Sequence, residues 1–304
     1  MSDFVNSGWS LFVAALTIGG LIYCVFVLLV ASKRTEMSGD NTTGHVWDVD
    51  LREMNNPLPR WWVWLFVITV VFAVIYLVLY PGLGGFQGSV KWSSQSQYEA
   101  EVAKARTQMA PVYAKFVSMG AEELAKDTQA MAIGERLYAN NCAGCHGSDA
   151  RGSKGFPNLT DGDWLYGGSI DKIKETIVNG RAGNMPAMAA ALGTPEDARN
   201  VANYVLSLSG SPHDAARATQ GQAKWAVCGA CHGMDGKGNQ AIGAPNLTDK
   251  IWLHGYGEQA ILAMINHGKQ NVMPSQARLL TPEQVHVLAG YVWSLSNTSV
   301  VAKN

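Results

Sequence analysis

Two stretches of the chain, residues 9–30 and 61–80, carry no charged side chain. They are 22 and 20 residues long and apolar on every helical face. At ~1.5 Å rise per residue, 20 residues make ~30 Å, the thickness of a bilayer's hydrocarbon core. Core helices of a soluble protein seldom stay apolar all round for this length. Trp9 opens the first stretch; Trp61, Trp62, Trp64 and Tyr80 flank the second, as in an interfacial aromatic belt. Residues 93–127 read differently, as a polar helical connector with Glu99, Glu101, Lys104, Arg106 and Lys115 alternating in sign. Pro111 is expected to kink or interrupt it. Beyond it, short amphipathic patterns predict helices over 131–140, 170–179, 220–226 and 258–266. Thr194-Pro195-Glu196 and Thr281-Pro282-Glu283 each predict a helix start, with threonine as N-cap and proline in the first turn.

The first apolar stretch lacks the basic leader and the small-residue cleavage site of a signal peptide, so it reads as a retained anchor. Lys and Arg set its direction. None precedes it; Lys33, Arg34, Arg52 and Arg60 lie in the loop 33–60; Lys91 alone lies in 81–100. The loop is therefore expected in the cytoplasm, with the N-terminus and the C-terminal part across the membrane. Cys24, within the first stretch, reads as a small apolar filler.

Composition agrees with this picture. Of 304 residues, 15% are charged and 47% hydrophobic, with ten Trp. A net charge of −1 argues against nucleic-acid binding, and the apolar content against disorder.

The C-terminal part is an internal repeat. Cys142-Ala-Gly-Cys145-His146-Gly matches Cys228-Gly-Ala-Cys231-His232-Gly. Pro157-Asn-Leu-Thr-Asp161 matches Pro245-Asn-Leu-Thr-Asp249. Trp164 matches Trp252, and Met185-Pro186 matches Met273-Pro274. Tyr204-Val-Leu-Ser-Leu-Ser209 matches Tyr291-Val-Trp-Ser-Leu-Ser296. The division expected is a first membrane helix 1–32, a cytoplasmic loop 33–60, a second membrane helix 61–80, a connector 81–128 opening on the glycine-rich 81–89, and two domains, 129–210 and 211–304.

Cys-x-x-Cys-His is the attachment motif of c-type haem. Two cysteines three apart on a helical turn face the same way, so both sulfurs reach the vinyl edge of one porphyrin. The histidine directly after them places an imidazole nitrogen under the iron. Two such motifs imply two covalently attached haems, through Cys142 and Cys145 and through Cys228 and Cys231. His146 and His232 are the proximal ligands. A shared four-cysteine zinc site is the rival, but each half has its own histidine and its own domain-length tail. A redox Cys-x-x-Cys would need a βαβ context that is absent. A covalent haem also supplies core to domains too small to bury much apolar area.

A sixth ligand closes the iron and suits it to electron transfer; a soft thioether favours the reduced state. Met185 and Met273 correspond in the repeat and both precede proline, so each is expected to serve the haem of its own repeat. Met188 has no methionine counterpart, and Met234 stands two residues past its histidine, too near to reach the opposite face. His213, His254, His267 and His286 read as exposed or structural. Haem c attachment occurs outside the cytoplasm, in agreement with the charge asymmetry.

The loop carries a further pattern. Thr42-Thr43-Gly44-His45-Val46-Trp47-Asp48 and Asn55-Asn56-Pro57-Leu58-Pro59-Arg60-Trp61-Trp62, followed by a membrane helix and two haem motifs, resemble the dihaem subunit (subunit III) of the cbb3-type cytochrome c oxidases. The resemblance runs from about residue 42 to the end; the first membrane helix is extra to many members. It implies a mainly α chain with two N-terminal transmembrane helices and two tandem class I cytochrome c domains, in a bacterial inner membrane with its haem domains in the periplasm. It also implies electron transfer from a soluble cytochrome c, through this chain, to a monohaem subunit and on to a catalytic haem b–copper subunit. There oxygen is reduced and protons are pumped, so no catalytic centre is expected in this chain. The ligands it implies are Cys142, Cys145, His146 and Met185 for one haem, and Cys228, Cys231, His232 and Met273 for the other. A small extra transmembrane subunit is a further conceivable partner. Residues 130–210 carry seven cations and eight anions, and 211–304 seven and five. Neither is an acidic dock, so steering by net charge is not expected. Three other functions fit fewer features: a free-standing dihaem carrier, a dihaem peroxidase, and a gas sensor working through a labile methionine.

Overall fold

The computed structural model describes residues 6–33, 39 and 41–297. Arg34, one of the four loop cations, and the end of the second repeat, 298–304, lie outside them. The chain divides into two compact units, Met1–Thr107 and Gln108–Asn304.

In the first unit, α1 (Ser7–Ala31) and α2 (Arg60–Leu79) coincide with the two apolar stretches to within two residues. Both are long and apolar enough to cross a membrane, and almost none of their surface is buried within the chain. Asn6 caps α1 by accepting from Trp9 N. Between the helices the loop is not featureless. β1 (Thr42–Trp47) and β2 (Leu51–Met54) form an antiparallel hairpin, which hydrophobic patterning did not predict because both strands are largely exposed. The glycine-rich exit from α2 folds back on the start of α1: Gly85 N donates to Ser10 Oγ, and a Cβ on Gly84 would lie 2.2 Å from Ser10 O. The start of α1 and the end of α2 therefore lie side by side.

The predicted connector forms α3 (Ser94–Ala114) and α4 (Ala121–Lys126). Pro111 sits in the last turn of α3, and the helix ends three residues later. The first repeat contributes α5 (Thr128–Asn141), α6 (Ala143–His146), α7 (Ile170–Asn179), β3 (Arg181–Met185), α8 (Ala189–Leu192) and α9 (Pro195–Leu208). The second contributes α10 (Ala215–Lys224), α11 (Ala226–His232), α12 (Glu258–His267), β4 (Lys269–Met273) and α13 (Pro282–Ser296). Thr194 and Thr281 cap α9 and α13 as expected. Each accepts from the backbone three residues on, and Asp197 and Gln284 return the bond, completing capping boxes.

The packing of these helices departs from their order in sequence. α9, which closes the first repeat, packs on α10 and α12 of the second, burying Val201, Ala202, Val205 and Leu206 with Trp225, Ile261 and Ile265. α13, which closes the second repeat, packs on α5 and α7 of the first, burying Val285, Leu288, Ala289 and Val292 with Tyr138, Ile173 and Ile177. A Cβ on Gly134 would lie 2.5 Å from Tyr291 Cβ, and one on Gly221 2.1 Å from Asn200 O, so both crossings are tight. The two packed modules each combine opening helices of one repeat with the closing helix of the other.

Candidate haem sites

His146 and His232 are both 9% exposed. His146 Nδ1 lies 2.9 Å from Pro157 O, and His232 Nδ1 3.1 Å from Pro245 O. A carbonyl only accepts, so Nδ1 carries the proton and Nε2 keeps its lone pair free for a metal. Burial pulls the His232 pKa down and outweighs its bond to Pro245, so the ring is neutral at neutral pH. The accepting carbonyls are held by the Asn-Leu-Thr turns directly after them. Asn158 Oδ1 accepts from Thr160 N and Oγ1 at 2.9 and 2.8 Å, and Asn246 Oδ1 from Thr248 at 3.0 and 2.8 Å. The repeated Pro-Asn-Leu-Thr motif is thus the support of the histidine ring.

Cys142 ends α5 and Cys145 lies on α6; Cys228 and Cys231 lie on α11. None of the four is in a disulfide. Burial first, and Cys145 second, push the Cys142 thiol up to about 11; burial and Cys231 raise Cys228 likewise. Both thiols are therefore protonated at neutral pH. Behind the motifs, Tyr138 Oη donates to Gly147 O at 2.8 Å and Trp225 Nε1 to Met234 O at 3.0 Å. Met234 itself is 67% exposed.

β3 and β4 pair antiparallel, with Arg181 opposite Met273, Gly183 opposite Asn271 and Met185 opposite Lys269. Opposed residues share a face of a sheet, so Met185 and Met273 stand on the same face of the ribbon. Four residues of strand and one strand spacing separate them by ~14 Å. Each strand then enters the other repeat. After Met185-Pro186, Met188 N donates to Ile265 O, at the end of α12, at 2.8 Å. After Met273-Pro274, Gln276 N donates to Ile177 O, at the end of α7, at 2.9 Å. Gly180 and Gly268 end α7 and α12 with φ of +70° and +67°. A Cβ there would lie 2.4 Å from Met273 O and 2.5 Å from Met185 O. Glycine is required twice over, by the left-handed backbone and by the close approach. The backbone after each methionine thus runs against a helix of the other repeat.

The remaining histidines have other partners. His213 Nδ1 is 2.7 Å from Ser211 O, His254 Nε2 2.9 Å from Asn271 Nδ2, and His286 Nε2 3.0 Å from Met119 O. His267 is exposed at the end of α12.

Two buried donors have no acceptor among the described residues, Arg181 Nη2 and Trp252 Nε1. An unmade buried hydrogen bond costs ~1–3 kcal/mol, so such atoms are seldom left without a partner. Haem carries carboxylates that would accept from both. With the paired thiols, the two imidazoles held through Nδ1 and the thioethers, the donor set fits two c-type haems. Sequence reasoning passed over Arg181; the orphaned donor is visible only once burial is known.

Residues 39–87 match the family model for the N-terminal domain of cbb3 cytochrome oxidase, FixP. Residues 129–205 and 216–292 each match the model for cbb3-type cytochrome c oxidase subunit III. Cbb3-type cytochrome c oxidase subunit CcoP of Rubrivivax gelatinosus is 68% identical over 302 residues, covering 99% of both chains. Subunit FixP of Bradyrhizobium sp. (strain ORS 278) is 40% identical over 87% of this chain and 97% of its own. The chain belongs to the subunit III family of the cbb3-type cytochrome c oxidases. As a member of the CcoP/FixP family, it is a membrane-associated electron-transfer subunit of that oxidoreductase complex, with two tandem cytochrome c domains. The free-standing carrier is not favoured. The match of 39–87 also accounts for the signature loop, whose residues form the β1–β2 hairpin and the entry to α2.

Proposed function

We propose that the chain holds two covalent c-type haems with exchanged axial methionines. Cys142, Cys145 and His146 bind one, completed by Met273; Cys228, Cys231 and His232 bind the other, completed by Met185. Each haem supplies a one-electron Fe(III)/Fe(II) couple when bound. The observation that carries the reading is the pair of buried histidines whose Nδ1 atoms are committed to Pro157 and Pro245. The prolyl carbonyls fix the rings, so Nε2 need not reorient when the iron changes charge. Met273 and Met185 would each offer a bound iron a soft thioether, which favours the reduced state and would keep oxygen and peroxide away from it. The ribbon of β3 and β4 fixes the spacing between the two sites, on which electron transfer between them steeply depends.

Electrons come from a soluble cytochrome c and leave for a monohaem subunit and then a catalytic haem b–copper subunit; this chain carries no oxygen-reducing centre. The chain spans a bacterial inner membrane twice, with loop 33–60 in the cytoplasm and the haem modules in the periplasm. A small extra transmembrane subunit is a further partner for the membrane helices. The Lys and Arg asymmetry supports this orientation, as does the side-by-side placement of the start of α1 and the end of α2.

A pyridine haemochrome spectrum of the detergent-solubilised complex tests the haem content. It should give two haems c per chain, together with haem b from the catalytic partner. The exchange is tested in a chain whose second attachment site is removed by Cys228→Ser and Cys231→Ser. There, Met273→Ala should open the remaining iron to carbon monoxide and Met185→Ala should not. The reverse pattern restores ligation within each repeat.

A further inference from the structure

Arg181 is held more firmly than a surface cation needs to be. Nη1 donates to Glu175 Oε1 at 2.8 Å and Nε to Thr176 Oγ1 at 2.9 Å. The guanidinium carbon sits 4.7 Å from the centre of the Tyr166 ring. Its side chain is 19% exposed. Three of its faces are thus assigned, and the fourth, Nη2, is buried with no acceptor among the described residues. A fork of this kind is fixed in advance for an anion that the described protein residues do not supply.

Its place identifies that anion. Glu175 and Thr176 lie on α7, which packs in the module of His146, and the residue opposite Arg181 on the ribbon is Met273. The corresponding residue of the second repeat, Lys269, is exposed, and Tyr166 is replaced there by His254. The fork exists on one side of the ribbon only.

We propose that Arg181 holds a propionate carboxylate of the haem bound by His146 and keeps that haem's reduction potential raised. The proposal rests on two haems and on Met273 serving the His146 site. Fe(III) haem carries one more positive charge than Fe(II) haem. A fixed cation beside it disfavours the oxidised state, and a propionate whose charge is compensated no longer favours it. Both effects raise the potential, and they act where the dielectric is low and screening weak.

Spectroscopic redox titration of the solubilised full-length protein resolves the two midpoints. Arg181→Gln should lower one midpoint and leave the other in place, while Lys269→Gln, at the equivalent position, should not reproduce the fall. Met273→His marks the His146 haem by lowering its midpoint independently, and the midpoint so marked should be the one that Arg181→Gln moves. Unmoved midpoints, equal movement of both, or movement of the unmarked one overturns the proposal. If Arg181→Gln fails to assemble, Arg181→Lys keeps the charge without the fork, and a smaller fall of the same midpoint is expected; no fall overturns it. Haem content is measured alongside in the unsubstituted protein. Fewer than two haems c per chain refutes the underlying reading, whereas two haems with an indifferent Arg181 refute the proposal alone.

Discussion

A histidine becomes a dependable iron ligand when its other nitrogen is committed, and here the commitment is to a backbone carbonyl. Pro157 and Pro245 are good acceptors because the pyrrolidine ring fixes their own φ and the asparagine turns fix the residues next to them. The same logic of fixed partners governs Glu175. Its bond to Arg181, then its bond to Lys172, holds its carboxyl at about 2, below the ordinary 4.5. A carboxylate held low in the folded state contributes stability that is complete above pH 4.5 and is lost as the pH falls towards 2. Glu175 is 38% exposed, so solvent screens much of this and the contribution is small. Glu175→Gln should lower the thermal midpoint slightly at about pH 6, and the difference from the unsubstituted protein should shrink by about pH 3. A difference that does not change with pH would show that the Arg181–Glu175 pair contributes nothing through its charge.

At the scale of elements, the two membrane helices, α7, α12 and the capped starts of α9 and α13 were legible because each rests on a local signal. An unbroken apolar run, a helical period and a Thr-Pro pair need no knowledge of the rest of the chain. The β1–β2 hairpin and the β3–β4 ribbon were not legible, since exposed strands show no alternation and the ribbon pairs residues 84 or more positions apart. The two Cys-x-x-Cys-His segments stood out as motifs, and the matched methionines as a repeat. The exchange of the closing helices did not, because homologous repeats offer nearly the same surface to either one. One signal was present. Only Ser209–Asp214 separate α9 from α10, and connections this short make consecutive helices antiparallel neighbours. Once α9 lies on α10, α13 takes the remaining place on α5. The crossings that result leave no room for a methyl group at Gly134 or Gly221. Ala at either should destabilise by ~1–3 kcal/mol, the usual range for overpacking. Gly221→Ala should be the costlier, because its Cβ would lie 2.1 Å from the Asn200 carbonyl oxygen, closer than the 2.5 Å from Tyr291 Cβ at Gly134, an atom fixed to its own backbone. Chemical denaturation of the haem-loaded protein measures both; equal stability to the parent would mean that these helices do not cross as described.

The whole molecule inherits a constraint from the exchange. In two independent cytochrome domains, each closing helix would seal its own core and the halves would melt separately. Here α9 seals the core around Trp225, Ile261 and Ile265, and α13 seals the core around Tyr138, Ile173 and Ile177. Neither module is complete without a helix from the other repeat, and the β3–β4 ribbon ties them again. Because each core takes its closing helix from the other repeat and the β3–β4 ribbon bonds the two, unfolding of the C-terminal unit should be a single cooperative transition. The two glycine variants give the decisive version of this test. In scanning calorimetry, Gly134→Ala, which loosens α5 from α13, and Gly221→Ala, which loosens α10 from α9, should both lower that same transition as a whole. Two transitions, one sensitive to each glycine, would mean that the modules unfold independently. The exchange of closing helices would then not be what holds the two modules at a fixed spacing.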